Sequence, residues 1–248
     1  MKLRCCIGLC LVCLGASTKA TEPLVSFGPD IPVFLSMAGT VRYDDNIYLQ
    51  KADKTSDTLY ILMPGVDLHT SGGTGKGDIA FSEQFIRYGS HSSLNSNLAS
   101  LLGSASYEGG VSQISARASY QEMDQSNLNL RSSEESVRRN LTSASVNAGI
   151  GLAGKTSAGL GLLYDKTEYP KVGYTDDSSW SIPLDLYYAL TPKTDLSVGY
   201  RYRRTTTEGD RDNTKDNFFN VGARGQFTPK LCGQVRTAVT ERSMDRGG

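Results

Sequence analysis

Two-residue alternation between apolar and polar or tiny side chains is the feature that most constrains how this 248-residue chain can fold. It runs from about Val33 to Arg242 in stretches of strand length. Within residues 142–153, the even positions from 144 to 152 are alanine, valine, isoleucine or leucine, and the odd positions from 143 to 151 are serine, asparagine or glycine. A soluble sandwich would fill its inward face with bulky residues and would not keep the other face so small. The pattern therefore predicts an all-β protein, a transmembrane antiparallel up-and-down β-barrel.

Eleven strands are predicted from this pattern. They lie near residues 33–43, 57–69, 78–89, 97–107, 111–121, 141–153, 156–165, 179–190, 194–204, 217–227 and 231–242. The connections alternate between short turns and long polar segments, and bacterial barrels place short turns in the periplasm and long loops outside. This alternation predicts that residues 21–32 form a periplasmic N-terminal segment and that residues 33–248 form the outer-membrane barrel.

The odd number of strands predicts a barrel that is incomplete or unclosed. Single-chain bacterial barrels close with an even number of strands, because an open edge in hydrocarbon leaves backbone groups without hydrogen-bond partners. The last predicted strand runs outward, and residues 243–248 resemble the start of an outer loop. We therefore expect either a missing C-terminal portion or a misassigned strand between residues 97 and 121.

The first 20 residues differ from the rest. Lys2 and Arg4 precede an apolar run at residues 5–14, and small residues then lead to Ala20. This is the pattern of a secretory signal peptide that is cleaved after Ala20. Four of the five cysteines lie in this segment, which leaves Cys232 alone in the mature chain and excludes an intramolecular disulfide there.

Aromatic residues lie at the ends of two predicted lipid-facing rows. Trp180 and Tyr188 bracket three aliphatic residues on one strand, and Phe219 and Phe227 bracket two on another. Aromatic side chains at both ends of an apolar row are typical of the two girdles of a membrane barrel. Their general preference for strands is the simpler alternative.

Composition and motifs give little support to an enzyme. Lysine plus arginine equals aspartate plus glutamate at 26 each, and no basic run suggests a nucleic-acid partner. Residues 149–156 match the phosphate-binding pattern GxxxxGK[ST], but no helical period follows, as that site requires. Only His69 and His91 could serve a triad or a histidine-rich metal site. We expect no catalytic residue, cofactor or metal.

The polar rows contain charged residues that would line a hydrated interior. By alternation they are Arg117, Asp185, Asp195, Arg201, Arg203, Arg224 and Arg236, with Glu83 as a further acidic member. An arginine-rich lining would favour anionic or hydroxyl-rich solutes. The alternative is structural: Asp185 is predicted roughly opposite Arg201, and such cross-strand pairs brace a sheet.

Several short motifs resemble a known family. They are VRYDDNI at residues 41–47, SDT at 56–58, PGVDL at 64–68 and the strand-turn-strand unit at 184–204. In these the chain is similar to the type-two β-barrel porins of Gram-negative outer membranes, whose members are longer. The resemblance implies an outer-membrane pore, in some members linked to export of surface polysaccharide, and no binding residues to transfer.

The expected function is thus a porin-like channel for small or saccharide-like solutes, with polysaccharide as a further candidate solute. The alternative is a non-conducting barrel that anchors or displays surface loops. In either case the expected partners include outer-membrane lipid and the barrel-assembly machinery, and a nucleic acid is not among them.

Overall fold

The computed structural model describes residues 13–28, 30–48, 50, 52–70, 73–126, 136–170, 173–209, 213–228 and 230–245. The described chain is all-β, with a single short 3-10 turn at Ser92–Leu94. Its thirteen strands are β1 (Cys13–Lys19), β2 (Val25–Ser26), β3 (Pro32–Asp44), β4 (Asp57–Thr70), β5 (Gly75–Tyr88), β6 (Ser96–Glu108), β7 (Ser112–Ser126), β8 (Ser136–Gly151), β9 (Thr156–Glu168), β10 (Asp177–Thr191), β11 (Thr194–Thr207), β12 (Asn213–Thr228) and β13 (Leu231–Asp245). No helix in these described segments has the length and apolar character needed to cross a membrane.

The strands form one antiparallel up-and-down sheet. Each strand from β3 to β13 pairs with the next one in the sequence, and β1 and the short β2 both pair with β3. The sheet is unclosed, since the order runs from β1 at one edge to β13 at the other. All eleven predicted strands are confirmed, including the two between residues 97 and 121, so the expected misassignment there is not found.

The two additional strands lie near the N-terminus, and β1 falls within the predicted signal peptide. It pairs residue by residue with β3, from Cys13 opposite Arg42 to Lys19 opposite Ser36. Residues 1–12 of the predicted signal lie outside the described part of the chain, so cleavage after Ala20 stays a prediction.

Most of the large exposed apolar side chains lie on one face of the sheet, and this face is uncovered. Each strand from β3 to β13 contributes at least one large exposed apolar residue to it: Leu35, Val66, Phe81, Leu101, Ile114, Val146, Leu162, Leu184, Val198, Val221 and Val235. Only five apolar side chains of the described residues are buried. A water-soluble domain buries its apolar face against a second layer. Here the described strands supply no such layer, which suits a surface covered by lipid.

Aromatic rings border this apolar face. Trp180 packs edge-on against Tyr202 of the next strand, with 5.5 Å between ring centroids, and Tyr200 lies 5.1 Å from Phe219. Trp180 and Phe219 are exposed on the apolar face, as the sequence predicts. The side chain of Phe227, the fourth aromatic residue of the predicted girdles, lies outside the described part of the structure.

The short turns between the last strands share one construction. In the turn from β10 to β11 the backbone N–H of Lys193 donates to Thr191 Oγ1 over 3.2 Å, and after β12 that of Lys230 donates to Thr228 Oγ1 over 3.4 Å. A register shift also occurs at the end of β10 and of β12. Gly225 adopts φ 133° beside the second shift, where an added Cβ would lie 2.0 Å from the Lys193 carbonyl oxygen. These turns set the register of the strands that carry the arginines.

Strands β6 and β7 separate at the end of the sheet where the long loops lie. Their backbone pairing ends at Ser100 opposite Gln121. Beyond this point the Glu122 side chain takes the place of the backbone hydrogen bonds between the two strands. Its carboxylate accepts a hydrogen bond from the backbone N–H of Ala99 over 2.9 Å and forms an ion pair with Arg138. Buried backbone donors need partners, so Glu122 closes a gap in the sheet at this site.

Candidate pore lining

The inner face, defined here as the face opposite the exposed apolar residues, carries all seven predicted pore-lining residues. In β10 to β13 the register arranges them in rows that run across the strands. Arg203 of β11 lies opposite Asp216 of β12, which lies opposite Arg242 of β13. Asp195 of β11 lies opposite Arg224 of β12 in a second row.

The first row is a cluster around a buried carboxylate, in which Arg242 binds both oxygens and Arg203 binds one. Asp216 is completely buried. Arg203 donates to its Oδ2 from Nε and Nη2 over 3.0 and 2.7 Å, and Arg242 donates from Nε to Oδ1 over 2.6 Å and from Nη2 to Oδ2 over 3.2 Å. Paired N–H groups of arginine match a carboxylate geometrically, so this cluster ties three strands together.

Two further arginines form one-to-one pairs with aspartate. Arg224 Nε lies 3.1 Å from Asp195 Oδ2, and its guanidinium also lies over the ring of Tyr187, 3.9 Å from the centroid. Arg236 Nη2 of β13 lies 3.8 Å from Asp185 Oδ1 of β10, which is within ion-pair distance but is not a hydrogen bond. The prediction that Asp185 lies opposite Arg201 is wrong, because the register places Gly199 opposite Asp185 and Pro183 opposite Arg201.

Arg117 and Arg201 differ from the other arginines in the predicted set. Neither has a hydrogen bond or an ion pair within the described segments, and both are exposed. Arg201 lies over the ring of Phe218, with 4.2 Å between Cζ and the centroid. The bracing interpretation thus fits Arg203, Arg224 and Arg236, while Arg117 and Arg201 keep their donors free.

Glu83 does not lie on the inner face, so its predicted place in the polar row is wrong. It shares its face of β5 with Ile79 and Phe81, which are about half exposed among the outward apolar residues. Glu83 lies opposite Ala99 of β6 and borders a groove of about 460 Å³ that Pro64 also lines. A single carboxylate therefore interrupts an otherwise apolar row.

Asp216 and Arg242 are the functional candidates that the sequence analysis missed. Asp216 precedes the strand predicted near residues 217–227, and the structure extends β12 back to Asn213. The alternation that places Arg236 on the inner face also places Arg242 there, six residues further along β13. That signal was present and could have identified Arg242.

Both histidines form a pair with an aspartate, which the sequence did not indicate. His91 Nδ1 lies 2.8 Å from Asp57 Oδ2, at the loop end of β4 and beyond the apolar stretch that begins at Tyr60. Burial raises the pKa of Asp57, but hydrogen bonds from the His91 side chain and from the backbone N–H groups of Ser90, Thr58 and His91 outweigh it and lower the pKa to about 2. This network ties the loop after β5 to the start of β4.

The second pair lies at the opposite end of the strands. His69 Nδ1 lies 2.7 Å from Asp78 Oδ1, and His69 Nε2 lies 3.3 Å from Lys19 Nζ. Because the lysine ammonium can only donate, Nε2 is the acceptor and Nδ1 carries the proton that is shared with Asp78. No serine or cysteine side chain contributes a hydrogen bond to either imidazole in the described ranges; the Ser104 hydroxyl donates to Asp78 Oδ2 over 3.2 Å instead.

The phosphate-binding pattern at residues 149–156 is a strand-turn-strand segment. Strand β8 ends at Gly151 and β9 begins at Thr156, and Gly154 takes φ 73° in the turn between them. No helix follows, so backbone N–H groups do not converge as they do around a bound phosphate. The described residues also contain no group of three or more acidic, histidine or cysteine side chains able to hold a metal ion.

Comparisons with known proteins find structural similarity at low sequence identity. No family model matches the chain, and no curated protein matches it. Two solved structures of OmpT, an in-vitro folded outer membrane protein of Vibrio cholerae, are similar at 11% identity and a TM-score of 0.44. Each covers 94% of this chain; the similarity spans 87% of the trimer form and 85% of the other structure. At this similarity, the fold assignment rests on the strand order and register described above.

Proposed function

We propose that the chain is a porin-like channel of the outer membrane that conducts small anionic or hydroxyl-rich solutes, including saccharide-like ones. The observation that carries the proposal is the division of one unlayered sheet into an uncovered apolar face and an inner face rich in arginine. A sheet of this kind is stable in a membrane when it closes with lipid outside and water inside. Charged side chains along a wet interior then set which solutes pass.

The composition of the inner face favours a hydrated lumen over a packed core. In β7, the residues that alternate with the apolar row include Ser115, Arg117 and Ser119, and the last of these hydrogen-bonds Ser143 of β8 over 2.8 Å. Small polar side chains fill little volume. They leave space beside the strand wall, as the interior of a water-filled barrel requires.

The resemblance to the type-two β-barrel porins adds a more specific element. It suggests that the solute is a saccharide and that the channel serves export of surface polysaccharide. Arginine guanidinium groups and aromatic rings on one wall, such as Arg224 over Tyr187, suit hydroxyl-rich or acidic sugars. The OmpT structures carry no information on this point.

Conductance tests the proposal directly. The full-length protein is folded into detergent, checked for the heat-modifiable migration of a folded barrel, and added to planar lipid bilayers. We expect discrete conductance steps. A folded protein that inserts and produces no steps would contradict the channel, and would favour the alternative in which the long outer segments are displayed on a closed or plugged barrel.

A further inference from the structure

We propose that the inner face of β11 to β13 holds a binding site for an oxyanion, a carboxylate or phosphate group carried by a small solute, centred on Arg201. The proposal rests on the porin-like function above and deepens it by naming one contact point and the charge of the solute. It follows from a difference between the arginines of this inner face, called the wall below: some form ion pairs with aspartate and others do not.

Positive charge on this wall is concentrated in two adjacent rows. Arg203 and Arg242 share the single carboxylate of Asp216, so this row keeps one uncompensated positive charge. Both hydrogen-bond acceptor atoms of Asp216 are occupied by these two guanidiniums. The single negative charge of Asp216 is therefore already shared by two arginines and cannot neutralise a third.

The neighbouring row supplies that third arginine. Arg201 lies opposite Phe218, the residue two positions after Asp216 in β12, and its guanidinium lies over the ring. Arg203 also lies over this ring, 5.2 Å from the centroid. An aromatic face attracts the guanidinium but accepts none of its hydrogen bonds in the plane, so the N–H groups of Arg201 remain available.

The rows closer to the short turns are electrically neutral. Arg224 is paired with Asp195 and Arg236 with Asp185, one cation to one anion in each case. An oxyanion moving along this wall therefore meets its net attraction at Arg201, with Arg203 and Arg242 beside it. A guanidinium fork with free N–H groups binds carboxylate or phosphate in two-point geometry, which fits the ligand class proposed.

The chain offers a matched control. Arg117 is likewise an exposed arginine of the inner face with no ion pair within the described segments, but it lies on β7, away from the cluster. Arg201→Gln and Arg117→Gln therefore remove the same charge from similar surroundings without breaking a pair. Since neither substitution leaves a buried carboxylate unpaired, both variants should fold.

The experiment measures block of single-channel current by inorganic phosphate and by glucuronate, with glucose as the uncharged control. A hydrogen bond between a guanidinium and an anion contributes to the affinity of the blocking anion, so we expect Arg201→Gln to weaken the block about tenfold or more. Arg117→Gln should change the block by less than about twofold. Glucose should have the same effect on the current through both variants as on the current through the parent protein. Equal effects of the two substitutions, or no effect of Arg201→Gln, would overturn the site.

A separate measurement distinguishes failure of the site from failure of the channel. If the folded protein does not conduct, the porin-like function is wrong, and calorimetry of phosphate binding to the protein in detergent decides the site. Binding that Arg201→Gln abolishes and Arg117→Gln retains supports it. Absence of phosphate binding in the parent protein contradicts it.

Discussion

Replacing Glu83 with leucine should stabilise the protein in a lipid bilayer, which is the reverse of what most substitutions do. The reason is the position of Glu83 in the apolar row of β5, beside the exposed Phe81. If that row faces hydrocarbon, the carboxylate lies in a medium that solvates it poorly. On an inner face it would lie in water, and its loss would have little effect.

The expected gain follows from two contributions. Removing an acidic side chain from the lipid-facing surface of a barrel should recover about 1–2 kcal/mol, less than for a basic residue. The leucine that replaces it gains about 1.5 kcal/mol from leaving water, and the groove of about 460 Å³ around Glu83 has room for it. We therefore expect the free energy of unfolding to rise by about 2–4 kcal/mol.

The assay is denaturant unfolding of the full-length protein in phospholipid vesicles, followed by the fluorescence of Trp180, the one tryptophan of the chain. Gln84→Leu is the matched control, because Gln84 is the next residue of β5 and lies on the opposite face. It should change the free energy of unfolding by no more than about 1 kcal/mol. A gain from Gln84→Leu together with a loss from Glu83→Leu would show that the two faces of the sheet have been assigned the wrong way round.

Three further predictions concern contacts that hold strands or loops together. Asp216→Asn should lower the free energy of unfolding by about 2–3 kcal/mol in the same vesicle assay, because two arginines lose their shared carboxylate while still reaching solvent; a loss within error contradicts the bracing role. Glu122→Ala should speed amide hydrogen exchange of Ala99 about tenfold, since that N–H loses its acceptor, and unchanged exchange would show that the carboxylate is dispensable. The pKa of Asp57 is lowered from 3.8 to about 2 in the folded chain, so its stabilising contribution is complete above the higher value and is lost as the pH falls through the lower one. Acid unfolding of Asp57→Asn should lack this step, and a step of parental size in the variant would refute the assignment.

The strands were predictable because each one carries its own evidence. Alternation within a strand such as β8 needs only local sequence, and the eleven long strands all have it. β1 was missed for a physical reason: residues 13–19 overlap the end of an apolar run and continue into small residues without clear alternation, so the segment has the pattern of a signal peptide. The pairing of β1 with β3 depends on both segments together, so the sequence of neither segment alone indicates it.

The sequence predicts which residues lie on the inner face, but it does not predict which of them form ion pairs with each other. Alternation assigned Arg201 and Arg203 to the same face of β11 correctly. Which carboxylate each arginine meets depends on the register between strands, and the shift at Gln226 and Thr228 helps to set that register between β12 and β13. Asp216 was therefore out of reach as a partner, whereas the position of Glu83 was predictable, because alternation within β5 places it with Ile79 and Phe81.

The contrast between the clamped row around Asp216 and the unclamped Arg201 has a consequence for ionic strength. Short, direct hydrogen bonds to a buried carboxylate are little affected by dissolved ions, whereas the field of an exposed guanidinium fades over about 8 Å at physiological salt. If the proposed channel is correct, concentrated salt should therefore remove its preference for anions well before it weakens the contacts around Asp216. In the proposed channel, the strands would stay paired at high salt while anions and cations pass with little preference.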